Sequence, residues 1–205
     1  EANNQTFRLI NINTPEKKEK GYNEALLYLK SLENKKVEVN DLGLDKYSRT
    51  LVRIYSPEYI NLELIKKGLA KKFLVQDSEL KIFREAEKQA IENERGIWKK
   101  STFFSCFSSK INQEKEIVYL KNSCNKINLK DWTLTDESRK KYKFKNIDIG
   151  SIFIHSTEGD NNETSLFWNS RQNVWNDDRD TLYMFDKEGN IVHYNVYGYW
   201  PSFFI

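Results

Sequence analysis

The amino-acid sequence predicts two domains of different class, an α+β domain over residues 1–100 and an all-β domain over residues 103–205. Helical periodicity is confined to the first half, where apolar residues recur at spacings of three and four. Aromatic residues concentrate in the second half, which holds 19 of the 28 in the chain. The first 100 residues carry 20 Lys and Arg against 16 Asp and Glu, whereas residues 101–205 carry 13 against 14. Both shifts place the domain boundary at residues 99–102.

The overall composition is that of a globular protein, with 39% hydrophobic and 31% charged residues among 205. No stretch approaches the roughly 20 apolar residues that cross a bilayer as a helix. Two histidines and two cysteines argue against a zinc framework. Cys106 and Cys124 either pair in an oxidising compartment or are both small buried residues.

The first predicted element is a short strand over residues 7–12, which ends before the turn at Pro15. Alternation places Arg8 on the same strand face as Ile10 and Ile12. A guanidinium on such a face is costly unless an anion meets it. Arg8 is therefore a candidate anion-binding residue.

Further polar groups follow this strand. Glu16 leaves the turn, with Asn13 and the Thr14 carbonyl beside it as additional oxygen donors. A turn over Asp45–Arg49 is expected to bring Arg49 to the same place as Arg8. Arginines, a carboxylate and hard oxygen donors at one strand end suit a phosphate and a divalent cation.

Helices and short strands alternate through the rest of the first half. Asn61 is the expected N-cap of the second helix, and Gly68 its C-cap residue. The third helix is expected to start after Asp77 or Ser78 and to end at Gly96. The other predicted elements are a helix over 22–34 and strands over 36–41 and 50–55. Short strands with helices around a small core are typical of an oligonucleotide-binding (OB) barrel with attached helices.

The second half is predicted to be a β-sandwich, because short β-prone runs alternate with polar turns. The expected strands are residues 116–121, 127–136, 142–144, 152–154, 182–185 and 191–197, the last two forming a hairpin.

Polar and aromatic residues of this half are interpreted mainly as structural. His155 and His193 lie in predicted strands without a neighbouring nucleophile and acid, so we assign them to packing or the surface. The acidic run 176–180 is either a calcium site or, the better interpretation, a solvated turn. Four tryptophans are assigned to core and rim packing (Trp132, Trp168, Trp175 and Trp200). The aromatic tail 197–205 is expected to dock on the sandwich or cover a partner surface.

Seven short motifs occur in a fixed order in the first half. They are Thr6-Phe7-Arg8-Leu9-Ile10, Thr14-Pro15-Glu16, Asn23-Glu24-Ala25, Asp45-Lys46-Tyr47-Ser48-Arg49, Ile60-Asn61-Leu62, Lys67-Gly68-Leu69-Ala70 and Gly96-Ile97-Trp98. This ordered set resembles the staphylococcal nuclease (thermonuclease) family over about residues 5–100. The resemblance implies a five-stranded OB barrel with three helices, and calcium-dependent hydrolysis of phosphodiester bonds in DNA and RNA.

The resemblance also implies a role for each matched residue. Glu16 would orient or deprotonate the attacking water as general base. Arg8 and Arg49 would hold the phosphate and stabilise the charge that develops on it. Lys46 and Tyr47 match positions that flank the nucleotide, and are the expected phosphate and base contacts.

The implied Ca²⁺ site is where this sequence departs from the family. Family members place an aspartate where this chain has Asn13, next to Thr14. They also carry two strands and an acidic turn before the position of Phe7, which is preceded here by six residues. We expect a segment upstream of Glu1, or strand exchange with another chain, to supply them. Loss of a carboxylate is expected to weaken calcium binding, alter the metal preference or abolish catalysis.

A second set of motifs spans the β-rich half. They are residues 116–122, 127–134, Ile149-Gly150, Trp175, Asp180-Thr181-Leu182 and Gly189-Asn190-Ile191-Val192. They resemble a lamin tail domain, an immunoglobulin-like sandwich that serves as an accessory or interaction module. The resemblance implies a protein or cell-envelope partner for this half, and the nuclease resemblance favours a secreted or cell-surface protein.

Three functions follow from these observations. The leading hypothesis is a nuclease whose sandwich localises it or presents it to its substrate. The alternatives are a degenerate barrel that grips nucleic acid without cleaving it, and an attachment protein in which the sandwich is the working part.

Overall fold

A computed structural model describes residues 5–199 of the chain. The chain folds as two compact units, divided between Trp98 and Lys99. Within the described range, no helix has the length and apolar character needed to cross a membrane. The predicted tail beyond Tyr199, including Trp200, lies outside the described residues.

The first unit contains three helices and two small sheets. A three-stranded sheet has the order β1-β4-β3, with β1 parallel to β4 and β3 antiparallel to it. A separate antiparallel ribbon pairs β2 with β5. The elements are β1 (Phe7–Leu9), β2 (Ile12–Asn13), α1 (Tyr22–Lys30), β3 (Glu38–Leu44), β4 (Thr50–Tyr55), α2 (Ile60–Lys66), β5 (Lys71–Lys72) and α3 (Leu80–Glu92). The α+β class with three helices is confirmed, and the described strands form an open sheet and a ribbon without closing into a barrel.

The predicted strand over residues 7–12 is wrong in its middle, because the chain turns at Asn11. This residue has φ 66°, a left-handed conformation that asparagine tolerates better than most residues. Its side chain holds the turn, since Oδ1 accepts from the Gln76 N–H at 3.1 Å and Nδ2 donates to Glu79 at 2.7 Å. Arg8 and Ile12 therefore belong to two strands, and Ile12 alone is fully buried.

Asn61 is not the N-cap of α2, as the sequence suggested, but a buried residue inside the helix. Its amide oxygen accepts from the Ile54 N–H, and its Nδ2 donates to the carbonyls of Ile10 and Val52. One side chain thus bonds three backbone groups at the strands, and this outweighs the capping preference.

The predicted limits of the other helices are also corrected. The first helix ends at Lys30, not at residue 34. Asp77 and Ser78 form a 3₁₀ turn with Glu79, and α3 begins only at Leu80. It ends at Glu92, before Gly96, because the chain turns to bring Gly96 against Gly68. A Cβ built on Gly68 would lie 2.1 Å from the Arg95 carbonyl oxygen, so the close crossing requires glycine.

The second unit is a β-sandwich of two four-stranded sheets, as predicted. One sheet has the order β11-β10-β7-β6, the other β13-β12-β8-β9. The strands are β6 (Phe107–Asn112), β7 (Ile117–Asn122), β8 (Thr133–Thr135), β9 (Lys141–Lys143), β10 (Ser151–His155), β11 (Ser165–Phe167), β12 (Asp180–Phe185) and β13 (Ile191–Tyr197). The β12–β13 hairpin is confirmed, β6 and β11 were not predicted, and the strand expected over 127–136 is reduced to β8.

A single apolar core lies between the two sheets. Trp132 and Trp175 are almost fully buried in it, and Trp168 packs against it while partly exposed, which agrees with their assignment to core and rim packing. Cys106 and Cys124 form a disulfide, which settles the alternatives that the sequence left open.

Removing this disulfide is expected to destabilise the second unit by about 3 kcal/mol, because the bond closes a loop with a sequence separation of 18. Urea unfolding of a Cys106→Ser/Cys124→Ser variant, followed by tryptophan fluorescence, measures the loss. An unchanged unfolding midpoint would show that the loop is already ordered without the bond.

Asp180, in the acidic run 176–180, is buried and not a solvated turn residue. Its carboxylate accepts from the N–H groups of Glu137 and Thr181, and from both the N–H and the Nδ2 of Asn176. Burial, and then the charges of Glu137 and Asp136, raise the pKa of Asp180 to about 7. The run therefore anchors β12, which begins at Asp180, to the segment after β8.

His193 joins the edges of the two sheets. Its Nε2 lies 3.0 Å from the Ser109 hydroxyl, and burial lowers the pKa of His193 to about 4. His155 stacks on Phe167 with ring centroids 4.6 Å apart. Both histidines contact neighbouring side chains of the sandwich, in agreement with their assignment to packing or the surface.

Acidification from about pH 6.5 to 4 is expected to cost the second unit about 2–3 kcal/mol through His193, because its folded pKa lies below the unfolded value. The stability it contributes is present above pH 6.5 and is lost as the pH falls. Protonation of Asp180 favours the folded state as the pH falls below 7, which opposes the effect of His193. The measurement is therefore the difference in unfolding free energy between the native protein and His193→Gln at each pH. Parallel pH profiles for the two proteins would contradict the assignment.

Candidate functional site

Arg8 lies on β1 and contacts the next strand. Its Nη2 donates to the Asn13 amide oxygen at 2.7 Å, in a partly buried position. Asn13 ends β2, from which the chain continues through Thr14 to Glu16. The contact therefore ties the arginine to the start of the segment that carries the candidate general base.

Arg49 is fixed by the turn that precedes β4. Asp45 accepts at Oδ1 from the N–H groups of Tyr47 and Arg49, and at Oδ2 from Arg49 Nε at 2.8 Å and Nη2 at 2.6 Å. Partial desolvation acts to raise the pKa of Asp45, but these hydrogen bonds outweigh it and hold the pKa below its usual range. The Arg49 side chain is still 40% exposed, so a bound anion can reach it.

The strand register brings the two arginines to one region. Strand β1 runs parallel to β4, with Phe7 opposite Thr50 and Arg8 opposite Leu51. Arg49 comes directly before β4, two residues from Leu51, so alternation places it on the same face as Arg8. Adjacent strands and this two-residue offset put the two Cα atoms about 8 Å apart. Two guanidinium groups at that spacing are able to reach one phosphate.

Tyr47 lies close to two cations of the same turn. The residue is 67% exposed, with Lys46 Nζ 5.0 Å and Arg49 Cζ 5.4 Å from its ring centroid. An exposed aromatic face beside positive charge suits a stacked base with its phosphate.

Glu16 is exposed in the loop after β2. The loop is closed by two hydrogen bonds of 2.8 Å, from the Glu16 N–H to Glu19 Oε2 and from the Glu19 N–H to the Glu16 carbonyl. Since Glu16 follows Asn13 by three residues, their Cα atoms lie within about 10 Å of each other. The loop thus begins where Arg8 makes its contact.

The oxygen donors of this region supply only part of a calcium shell, which takes six to eight oxygens. Asn13 Oδ1 already accepts from the Arg8 guanidinium, and Thr14 offers a carbonyl oxygen. Within residues 5–199, no group of three His, Cys, Asp or Glu side chains is placed to hold a metal ion. The described residues therefore fit calcium incompletely.

Asp45 contacts the candidate residue Arg49, and sequence reasoning assigned it no role of its own. An aspartate four residues before an arginine within a tight turn was the available signal, since aspartate bonds readily to turn backbone. Its role is to position Arg49.

Comparison with protein families agrees with these observations. Residues 6–100 match the model of the family described as Staphylococcal nuclease homologue, and residues 103–199 match the Lamin Tail Domain. Both resemblances and their order along the chain are confirmed. The first unit is thus related to the nuclease family, and the second has the immunoglobulin-like sandwich of the lamin tail domain. No curated protein matches this chain.

Proposed function

We propose that the first unit hydrolyses phosphodiester bonds of DNA or RNA as an endonuclease, and that the sandwich is an accessory module. The observation that carries this proposal is the parallel β1–β4 register, which places Arg8 beside the strand that Arg49 introduces. The relationship of residues 6–100 to the nuclease family supports it.

In this proposal Arg8 and Arg49 hold the scissile phosphate from one face of the sheet and stabilise its developing charge. Asp45 keeps the Arg49 fork oriented before substrate binds. Lys46 and Tyr47 contact the adjoining phosphate and base. Glu16 accepts a proton from the attacking water.

Calcium is the metal that the family resemblance implies for this reaction. Asn13 and the Thr14 carbonyl would contribute oxygen ligands, and a bound cation would neutralise charge on the phosphate. Because Asn13 is neutral and already bonded to Arg8, we expect weak calcium binding, so that the rate saturates only at high calcium concentration.

The test is digestion of single-stranded DNA and RNA with added calcium and with a chelator. We expect cleavage with calcium and at least about a 100-fold slower reaction with chelator. An oligonucleotide that binds but stays intact under every metal condition would contradict hydrolysis and support the alternative of a degenerate nucleic-acid-binding protein.

For the second unit we propose attachment to a protein or cell-envelope partner, which would localise the nuclease. Its relationship to the lamin tail domain supports this role.

A further inference from the structure

A cleft of about 460 Å³ opens on the second unit, outside the candidate active site. We call it the β9–β11 cleft. Its residues come from the extended segment 141–145, the loop around 159–161 and the end of β11 at 167–169. A volume of this size is sufficient for a nucleotide.

One wall of the cleft is positively charged. Lys141, Lys143 and Lys145 alternate with buried aromatic residues, so all three ammonium groups lie on the exposed face of one extended segment. Lys143 pairs with Asp131 at 2.7 Å. Lys141 and Lys145 have no ion-pair partner among the described residues. Asp160 also lines the cleft but leaves an excess of positive charge.

The lining of the cleft also includes an aromatic surface. Trp168 lines the cleft while partly buried, and its ring packs against Tyr142 at 5.7 Å and Trp175 at 6.3 Å between centroids. The buried neighbours hold the indole in place, and its remaining exposed part faces the cleft. Stacking a base on such a surface stabilises a complex by about 1–3 kcal/mol.

The loop that closes the cleft is already ordered by side-chain hydrogen bonds. Asn161 Oδ1 accepts from the Phe167 N–H at 2.7 Å, and Asn169 Oδ1 accepts from the Gly159 N–H at 2.9 Å. A Cβ on Gly159 would lie 2.3 Å from the Phe167 ring, so the loop packs directly on β11. Binding a ligand therefore requires little further loss of conformational entropy in this loop.

We propose that the β9–β11 cleft binds a single-stranded segment of DNA or RNA, with a base on Trp168 and its phosphates at Lys141 and Lys145. In choosing nucleic acid over other polyanions, the inference rests on the proposed function of the first unit. The aromatic part of the lining fits this choice, because a nucleobase stacks its flat face on an indole ring.

The test uses the full chain in chelating buffer, with fluorescence anisotropy of a labelled oligothymidylate of about 12 nucleotides. We expect Lys141→Gln/Lys145→Gln to raise Kd about tenfold at low salt. The matched control Lys110→Gln/Lys126→Gln changes two exposed lysines outside the cleft, and is expected to stay within about twofold. Trp168→Leu, checked for an unchanged disulfide and melting temperature, is expected to raise Kd about threefold to tenfold.

Equal Kd values for the native chain and both cleft variants would overturn the inference. So would heparin binding as tightly as the oligonucleotide with no effect of Trp168→Leu, since this would show a purely electrostatic surface. If the native chain cleaves nucleic acid but the cleft variants bind the oligonucleotide with the native Kd, only the proposal for the cleft is refuted. Weakened binding in the cleft variants, without cleavage by the native chain, refutes the nuclease proposal alone.

Discussion

Replacing Glu16 with glutamine is expected to lower kcat for oligonucleotide cleavage by about 10²–10⁴-fold, with a much smaller change in KM. The amide keeps the size of the side chain but does not accept a proton from water. Because Glu16 is exposed in a loop, the substitution leaves the core intact. Glu33→Gln, at another exposed position of the same unit, is the matched control and is expected to cleave at the native rate.

Steady-state kinetics on a single-stranded oligonucleotide check this prediction, together with the pH dependence of kcat. If Glu16→Gln cleaves as fast as Glu33→Gln, the general base has been assigned to the wrong residue. A rise in KM with an unchanged kcat would instead make Glu16 a binding residue.

Replacing Glu87 with alanine is expected to destabilise the first unit by about 3–5 kcal/mol. Glu87 on α3 and Lys72 on β5 form a buried ion pair at 2.8 Å, with side chains 2% and 0% exposed. Glu87 also accepts from the Lys72 N–H at 2.9 Å. Removing the carboxylate takes a charged acceptor away from a buried ammonium group and from a buried backbone donor, which costs more than the pair itself contributes.

Urea unfolding followed by far-ultraviolet circular dichroism measures this loss, because α1, α2 and α3 all belong to the first unit. Glu85→Ala, on the exposed side of the same helix, is the control and is expected to change stability by less than about 1 kcal/mol. The double variant Lys72→Met/Glu87→Leu is expected to recover most of the loss. Equal destabilisation by Glu85→Ala and Glu87→Ala would contradict the account of the buried pair.

The sequence predicted the class of both units and most element positions, because periodicity and turn residues act locally. Its errors lie where a long-range contact decided the outcome. Asn61 has the residue type of a helix cap, yet its side chain forms hydrogen bonds with three backbone groups that the fold brings together. Strand β6 reads Phe-Ser-Ser-Lys-Ile-Asn, with few apolar residues, and is a strand because six of its residues pair with β7.

In the candidate site, too, the residues could be predicted from the sequence but their long-range geometry could not. Motif order identified Arg8, Glu16 and Arg49, but the turn at Asn11 and the clamp by Asp45 depend on backbone geometry that residue types alone leave open. The β9–β11 cleft also escaped sequence reasoning, because its lining comes from three separate segments, residues 141–145, 159–161 and 167–169.

The central claim is that Arg49 and Glu16 act together on one phosphate. Single-turnover cleavage by the native chain, Glu16→Gln, Arg49→Lys and the double variant tests it most directly. The account predicts that the double variant is no more than about fivefold slower than the slower single variant, since residues that act as a unit are not additive. Rate losses that multiply in the double variant, or a native rate in either single variant, would contradict it.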